Sequence, residues 1–356
     1  MKVLYLINHA GNGGSEKYVR VLSEELIKKN VEVFFVYNES GLLVNQMENL
    51  GAKSYNLNMR SPFDLKSAKE LARICTENNI DIIHAQFPRE NYVAVLSKLY
   101  GCKAKIIYTS HINISNNLLW KATNFIVTRQ NSAIVAVCNS VKSLLVSNKY
   151  PKDKIHVIFN GVEYEDYEKE ELPNSPFIFI VLARLSLEKG ILFLLESVNT
   201  LSKDTDKSFK LMLAGDGPLE KEAKNYVKEH NLSNFVDFLG YTTTPQKVLS
   251  KGHVFINSSE SEALSFAILE AMTIGLPIIA TKVGGNPDII NKNTNCGTLV
   301  DYNKPLEMAK AMKSLMENES LYKELSKNSR IAIKTTFDIK IMIDKTYEMY
   351  KSVLKS

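Results

Sequence analysis

Two glutamates in the second half of the chain are spaced to hold a ligand rich in hydroxyl groups. Glu262 and Glu270 stand eight positions apart, the first before a predicted helix and the second within it. The residues between them are small or apolar, so Glu270 is predicted to lie in otherwise buried surroundings. A buried carboxylate needs hydrogen-bond donors, and ligand hydroxyl groups can supply them. The spacing alone fits equally well a helix-start acid followed by a solvated helix acid.

Two cations follow a predicted strand and precede a predicted helix. Arg184 and Lys189 stand in the segment Arg-Leu-Ser-Leu-Glu-Lys-Gly. Arginine offers a planar fork of donors and lysine a point charge, and the two together suit a diphosphate. Taken alone, the pair fits equally well two solvated surface cations.

Glycine-rich turns follow the first predicted strand, at residues 11–16, and a later strand, at residues 215–218. Glycine lets a backbone approach a ligand closely, and a helix N-terminus offers free N–H groups to an anion. Neither turn satisfies the dinucleotide-binding fingerprint, because Glu16 and Glu220 stand where its third glycine is needed. Alone, each turn is more typical of an ordinary link between a strand and a helix.

The elements that must position these residues alternate between short β-branched runs and amphipathic helical stretches. This alternation predicts parallel sheets covered by helices on both faces. The predicted strands of the first half are Val3–Asn8, Glu32–Tyr37, Asp81–Phe87, Lys105–His111, Ser132–Cys138 and Ile155–Phe159. Those of the second half are Phe177–Ala183, Phe209–Ala214, Val236–Leu239, Val254–Asn257, Pro277–Ala280 and Thr298–Val300.

This pattern predicts an α/β protein of two doubly wound, Rossmann-like domains. The first covers residues 1–162 and the second residues 163–337, with an acidic linker over Glu163–Asn174. A last helix over residues 338–356 carries apolar residues and is expected to pack back on the first domain. Ligands of doubly wound sheets bind outside the carboxyl ends of the strands, which predicts a site in a central cleft between the domains.

Composition excludes several classes of protein. The four cysteines (Cys75, Cys102, Cys138 and Cys296) show no short paired spacing, which favours a reducing compartment over a disulfide framework. No apolar run reaches the length of about eighteen residues that a membrane-spanning helix needs. The apolar run near the start leads into a glycine loop, as a buried strand would. A cytoplasmic protein is therefore expected.

The charge is unevenly distributed along the chain. Residues 1–160 contain 20 lysines and arginines against 12 aspartates and glutamates, whereas residues 161–335 contain 20 against 24. A basic first half and an acidic second half suggest different partners for the two halves. Chance lysine usage on solvated helices explains the difference about equally well.

In the order in which they occur, these motifs resemble the family-4 retaining glycosyltransferases of the GT-B fold. The resemblance covers essentially the whole chain. It rests most on the pair Glu262 and Glu270 with its Leu-Glu-Ala-Met sequence, and on Arg184 with Lys189. Supporting elements are Gly-Gly-x-Glu at residues 13–16, His111 after a strand, Asn-Gly-Val at 160–162, Gly-Asp-Gly-Pro at 215–218 and Leu-Gly at 239–240.

The resemblance implies a role for each matching residue. Arg184 and Lys189 would hold the diphosphate of a nucleotide-sugar donor, and Glu262 would bind the hydroxyl groups of its sugar. Glu270 would take the ribose hydroxyls, and His111 would contact the sugar. The remaining residues of the predicted donor site are Gly13, Gly14, Gly240, Leu264, Ser265 and Phe266, the last three through backbone N–H groups.

The resemblance also implies the reaction. A hexose would move, with retention, from a UDP-linked sugar to a glycan or lipid-linked acceptor in bacterial surface polysaccharide synthesis. No metal or cofactor is expected, because cations and N–H groups would stabilise the departing nucleotide diphosphate. Nucleic acid is not an expected partner. Two departures from the family pattern, Ala263 for glycine and Asp288 for glutamate, remove no charge.

Two other readings stay open. A sugar-nucleotide epimerase shares the fold but needs no second sugar site, and the four charged residues fit it less well. A non-catalytic partner subunit would be expected to lose the ligand-binding charges, which this chain keeps. The spaced aspartates Asp204 and Asp206 match a metal motif of another glycosyltransferase fold, but they stand between lysines in a polar stretch.

The segment 112–130, after His111, combines apolar side chains with cations. Trp120, the only tryptophan, is flanked by Lys121. An amphipathic segment of this kind suits a bilayer interface, where rings lie at headgroup level. Peripheral contact of the first domain with an anionic membrane, at the inner face of the cell membrane, is therefore expected. The alternative that Trp120 fills the core of the domain stays open.

Overall fold

The computed structural model describes residues 1–11, 13–111, 117–164, 172 and 175–355. The chain divides into two compact units, which we call unit 1 (Met1–Asn160 with Lys340–Ser356) and unit 2 (Gly161–Ile339). Asn12 of the first glycine turn, residues 112–116 and most of the predicted linker lie outside the described residues.

Short strands form the centre of each unit. In unit 1 they are β1 (Lys2–His9), β2 (Glu32–Glu39), β3 (Lys53–Asn56), β4 (Ile82–Ala85), β5 (Lys105–Ser110), β6 (Ala133–Ala136) and β7 (Ile155–Val157). In unit 2 they are β8 (Phe177–Leu182), β9 (Phe209–Ala214), β10 (Val236–Gly240), β11 (Val254–Asn257), β12 (Ile278–Thr281) and β13 (Gly297–Val300).

Helices connect the strands. Those that precede Asn160, in unit 1, are α1 (Gly14–Lys28), α2 (Leu42–Asn49), α3 (Leu65–Asn78), α4 (Pro88–Ser97), α5 (Leu118–Val127) and α6 (Asn139–Ser147). They are followed by α7 (Ile191–Ser202), α8 (Glu220–Glu229), α9 (Pro245–Leu249), α10 (Phe266–Thr273), α11 (Asn286–Ile289), α12 (Pro305–Glu317), α13 (Glu319–Ala332) and α14 (Ile339–Lys355). Among the described residues, no helix combines the length and apolar character that crossing a bilayer requires.

In the part of the chain that the structure describes, each unit contains one sheet, and all strand pairs are parallel. The order is β3-β2-β1-β4-β5-β6-β7 in unit 1 and β10-β9-β8-β11-β12-β13 in unit 2. In each sheet the order reverses beside the first strand, between β1 and β4 and between β8 and β11. These are the topological switch points at which doubly wound sheets bind ligands. The predicted class, two Rossmann-like α/β domains, is confirmed.

Burial on both faces explains why the central strands read as continuous apolar runs. Val3 to Ile7 of β1 are fully buried, and so are Phe179 to Val181 of β8 and Val254 to Ile256 of β11. Strand β3 was not predicted, because Lys-Ser-Tyr-Asn carries no apolar alternation. It lies at the sheet edge, pairs only with β2, and leaves Lys53 and Asn56 exposed.

The last helix, α14, belongs to unit 1 and is held there by a buried polar contact. The Tyr350 hydroxyl lies 2.5 Å from His84 Nδ1 on β4 and 3.2 Å from the Tyr5 hydroxyl on β1. The other ring nitrogen of His84 lies 2.6 Å from Thr109 Oγ1 on β5. The chain terminus is thereby tied to three central strands of the first sheet.

Glu90, in the first turn of α4, is a fully buried acid. Among the described residues, neither of its carboxylate oxygens has a hydrogen-bond partner. Burial raises the pKa of Glu90 to about 7. In the folded state the carboxyl group therefore stays protonated up to about pH 7. In the unfolded state it loses its proton near its ordinary pKa of about 4.3. Stability contributed by the protonated form is lost as the pH rises through 7.

We expect Glu90→Gln to raise the free energy of unfolding of unit 1 at pH 8 by about 3 kcal/mol, because the variant no longer buries a charge. The gain should shrink as the pH falls through 7 and disappear near pH 4. Urea unfolding followed by fluorescence measures it, since the only tryptophan, Trp120, lies in unit 1. Glu48→Gln, on the exposed surface of α2, is the matched control. Equal stability of Glu90→Gln and wild type at pH 8 would contradict the assignment.

Candidate donor site

The loops that follow β8 and β11 meet at the switch point of the second sheet. Lys189 follows β8 and Glu262 follows β11, and they form an ion pair with Nζ 2.8 Å from Oε2 and 3.1 Å from Oε1. The side chains are 24% and 12% exposed, respectively. Two of the charged residues predicted from the sequence are thus in direct contact, although they stand 73 positions apart.

Backbone contacts hold these two loops together. Ser258 Oγ donates to the carbonyl oxygen of Lys189 at 2.8 Å, and Glu260 N donates to that of Glu188 at 2.9 Å. Gly190 has a φ of +62°, and a Cβ built there would lie 2.1 Å from the Ser258 carbonyl oxygen. Only glycine permits both this backbone conformation and this approach. Gly190 therefore places Lys189 beside the Glu262 loop.

The glycine turn at 283–285 supports Glu262 from the other side. Gly284 has a φ of +53°, and a Cβ there would lie 1.6 Å from the Glu262 carbonyl oxygen. Gly285 N donates to the carbonyl of Ala263 at 2.7 Å. Ala263, one of the departures from the family pattern, is therefore held by its backbone against this turn.

Among the described residues, no contact joins Arg184 to Lys189 or to Glu262. Its side chain is 67% exposed and pairs with Glu188 at 3.1 Å. Ser186 Oγ also donates to Glu188, at 2.6 Å. This bond, followed by the Glu188 backbone N–H and Arg184, lowers the pKa of Glu188. Ser186 and Glu188 were not among the predicted site residues, although their Ser-x-Glu spacing after a strand is typical of a local side-chain turn.

Helix α10 begins at the other predicted donor-site residues. Ser265 is its N-cap and accepts from Ile268 N at 3.4 Å, and Phe266 is its first residue. The first N–H groups of a helix have no intrahelical acceptor, and its N-terminus carries a partial positive charge. Leu264 is buried, and Glu270 lies partly exposed between the buried Leu269 and Ala271. As predicted, Glu262 precedes the helix and Glu270 lies within it.

The loop after β9 adjoins the loop after β8. Leu185 N donates to the carbonyl of Asp216 at 2.7 Å, and Leu219 N donates to that of Leu185 at 2.9 Å. Gly240 ends β10, and its carbonyl accepts from Gly215 N at 2.7 Å. Gly240 thus lies at the same edge of the sheet as Arg184 and Lys189.

In unit 1, the predicted donor-site glycines lie at the N-terminus of α1, which follows β1 at the switch point of the first sheet. Gly13 is the N-cap of α1 and Gly14 its first residue. Glu16, in the first turn, is buried and accepts from Ser15 Oγ at 2.7 Å. A Cβ at Gly13 would lie 2.7 Å from Glu16 Oε2, so glycine makes room for this carboxylate.

His111 follows β5 and has a defined tautomer. Its Nε2 lies 2.9 Å from Gln86 Oε1, whose amide nitrogen donates to the carbonyl of His84 at 3.1 Å. Since an amide oxygen only accepts, Nε2 of His111 carries the proton and Nδ1 is a hydrogen-bond acceptor. Burial lowers the pKa of His111 to about 3, and its ring lies 4.9 Å from that of Tyr18 in an edge arrangement. Gln86 was not among the predicted site residues, because it belongs to no recognisable motif.

The spaced aspartates that match a metal motif of another fold form other contacts. Asp204 Oδ2 lies 2.9 Å from Lys313 Nζ, which also donates to the Asp204 carbonyl at 2.6 Å. Within the described part of the chain, no three His, Cys, Asp or Glu side chains gather as ligands for a metal ion.

Two family models match consecutive parts of the chain. The one described as Glycosyltransferase Family 4 matches residues 12–166, and the one described as Glycosyl transferases group 1 matches residues 163–332. Together they span both units. The chain therefore belongs to the glycosyltransferases of this two-domain family.

Individual proteins agree with this assignment. The N-acetyl-alpha-D-glucosaminyl L-malate synthase of Bacillus anthracis is 23% identical over 365 residues, covering 96% of this chain and 95% of that one. The UDP-Gal:alpha-D-GlcNAc-diphosphoundecaprenol alpha-1,3-galactosyltransferase of Escherichia coli is 26% identical over 311 residues, covering 81% and 79%. The crystal structure of Anabaena HepE in complex with UDP superposes with a TM-score of 0.84 at 17% identity, covering 99% and 100%. The predicted GT-B fold is confirmed.

We expect Gln86→Glu to raise the pKa of His111, because a carboxylate would then face its protonated Nε2. In the wild type the ring should remain neutral down to about pH 4, given a pKa of about 3. Nuclear magnetic resonance of the imidazole C–H signals measures this, with His111→Asn assigning the signal. If His111 titrates identically in Gln86→Glu and wild type, the contact between residue 86 and the His111 ring is wrong.

Proposed function

We propose that the chain is a retaining, metal-independent hexosyltransferase that uses a UDP-linked donor and a glycan or lipid-linked acceptor in bacterial surface polysaccharide synthesis. The observation that carries the proposal is the contact of Lys189 with Glu262 at the switch point of the second sheet. The names of similar proteins support the substrates. The Escherichia coli relative is named for UDP-Gal and a diphosphoundecaprenol-linked acceptor, and the Anabaena structure contains UDP.

Lys189 and Arg184 act on the leaving group. When the bond between the anomeric carbon and the diphosphate breaks, negative charge develops on the departing oxygen, and fixed cations stabilise it. Lys189 is already held in place by Glu262 and by its loop. Arg184 must exchange Glu188 for a phosphate. An exposed ion pair is worth only about 0–1 kcal/mol, so this exchange costs little.

Glu262 and the start of α10 act on the sugar. Lys189 bonds both Glu262 oxygens and so fixes the direction of the carboxylate. Each carboxylate oxygen can accept a further hydrogen bond, here from a sugar hydroxyl. The N–H groups of Leu264, Ser265 and Phe266 provide donors near the sugar and phosphate.

The other predicted residues bind parts of the donor that do not react. Glu270 accepts from the ribose hydroxyls, and Gly240 lies beside the nucleotide. In unit 1, Gly13 and Gly14 give a diphosphate access to the N-terminus of α1. His111, neutral and with Nδ1 as acceptor, takes a hydroxyl group of the donor sugar. The protein is proposed to act in the cytoplasm, peripherally at the inner face of the cell membrane.

A panel of UDP-sugars separates this function from its rivals. The proposal predicts release of UDP that increases when an undecaprenyl-diphosphate sugar acceptor is added and persists in excess chelator. L-malate belongs in the acceptor panel, because it appears in the name of the Bacillus anthracis relative. An epimerase would interconvert sugars without a second acceptor, and a non-catalytic subunit would release nothing. Activity lost to chelator and restored by manganese would remove the metal-independent part of the proposal.

We expect Glu270→Ala to raise the donor KM and weaken UDP binding, and Glu262→Ala to lower kcat mainly. Ribose contacts are equal in the ground state and the transition state, whereas contacts to the sugar can strengthen as the bond breaks. Steady-state kinetics and calorimetry with UDP measure the two effects. Glu307→Ala, at an exposed position of α12, is a control in the same unit. Unchanged KM and UDP affinity in Glu270→Ala would refute the ribose role.

A further inference from the structure

Helix α5 presents its apolar side to solvent. Leu118, Leu119 and Ile126 are 84%, 73% and 70% exposed, and Phe125 and Ala122 are exposed as well. These positions follow the spacing i, i+1, i+4, i+7 and i+8, which is one continuous face of a helix. In an ordinary surface helix this apolar face is the buried one.

The polar side of α5 faces the protein instead. Asn124 is buried, bonds the hydroxyl of Tyr92, and donates to the carbonyl of Asn148 at 3.0 Å. Thr128, one turn later, is also buried and donates to the carbonyl of Asn124 at 2.6 Å. The bonds of Asn124 to Tyr92 and Asn148 therefore fix the helix in this orientation, and the outward leucines are a consequence of it.

Trp120 is a packing residue of this surface rather than its outermost one. Its ring is stacked on that of Phe63 at 6.0 Å with an interplanar angle of 10°, and lies 5.8 Å from that of Tyr92. The side chain is half-buried, whereas Phe63 is exposed. Phe63 thereby extends the exposed face of α5. We call the combined surface the α5 patch: Phe63, Leu118, Leu119, Phe125 and Ile126.

The stretch of sequence that contains α5 is rich in cations and has no acid. Residues 91–152 contain no aspartate or glutamate and eight lysines and arginines: Lys98, Lys103, Lys105, Lys121, Arg129, Lys142, Lys149 and Lys152. The Arg129 guanidinium lies 3.8 Å from the centre of the Phe125 ring. Lys154 Nζ bonds the carbonyl of Arg129 at 2.7 Å.

We propose that the α5 patch seats on an anionic lipid bilayer, with Leu118, Leu119 and Ile126 entering the boundary between headgroups and acyl chains. An amphipathic helix that exposes leucines beside cations binds such a surface through apolar burial and attraction to lipid phosphates. A second copy of the chain fits less well, because it would bring two acid-free basic segments together. The inference rests on the proposed function for its purpose, which is to bring the site to a lipid-linked acceptor.

Flotation of the full chain with vesicles, in the absence of donor and acceptor, tests the proposal. The vesicles contain phosphatidylcholine alone, or equal parts of phosphatidylcholine and phosphatidylglycerol. We expect binding to the anionic vesicles that weakens as salt is added. Leu118→Gln with Ile126→Gln should weaken it at least about tenfold, because two inserted apolar side chains are lost. Leu306→Gln with Ile331→Gln, two exposed apolar residues of unit 2, should bind like wild type.

Two further readouts separate the alternatives. Trp120→Phe preserves the ring stack and should bind vesicles nearly as well as wild type, and loss of binding there would mean that Trp120 itself inserts. Unchanged flotation of the Leu118/Ile126 variant, or equal binding to both vesicle types, would overturn the proposal. So would a wild-type dimer that this variant dissociates. UDP release to a water-soluble acceptor should be unchanged in the variant, which distinguishes failure of docking from failure of the proposed function.

Discussion

The contact between Lys189 and Glu262 is the interaction on which the candidate site depends. It joins loops that follow two strands far apart in the chain, and it forms because β8 and β11 are neighbours in the second sheet. Both side chains are mostly shielded from water, so their attraction is stronger than that of a typical surface pair. The pair leaves a fixed cation and a fixed carboxylate at one edge of a sheet. These are the groups that a sugar diphosphate requires.

This contact in turn depends on two glycines, which have no side chain. Gly190 and Gly284 hold backbone conformations that favour glycine, and each lies against the backbone of the Ser258 to Glu262 loop. Any larger residue at either position would push a loop away by an ångström or more. The site is therefore determined as much by close backbone packing as by its charged residues. This explains why the motifs are short and combine charged residues with glycine.

Much of the fold could be predicted from the sequence, because buried parallel strands leave a continuous apolar pattern. The exposed edge strand β3 lacks that pattern and could not be found. In the site, the charged residues were identified by type. The pairing of Arg184 with Glu188 was missed, although the Ser-x-Glu spacing after the strand is typical of that local turn. The contacts of Gln86 with His111 and of His84 with Tyr350 join segments that are far apart in the sequence. No local sequence pattern therefore indicates them. Helix α5 was recognised as amphipathic, yet its orientation depends on Tyr92 and Asn148, outside the helix.

A double-mutant cycle on donor binding tests the central claim most directly. Calorimetry would measure the affinity of wild type, Lys189→Ala, Glu262→Ala and the double variant for the UDP-sugar that gives the fastest UDP release. Lys189→Ala removes the cation that bonds the Glu262 carboxylate, so this carboxylate repels the diphosphate, and removing Glu262 as well relieves that repulsion. The account predicts that the double variant loses less binding free energy than the two single losses added together, by more than about 0.5 kcal/mol. Strict additivity would show that Lys189 and Glu262 do not act as a pair on the donor.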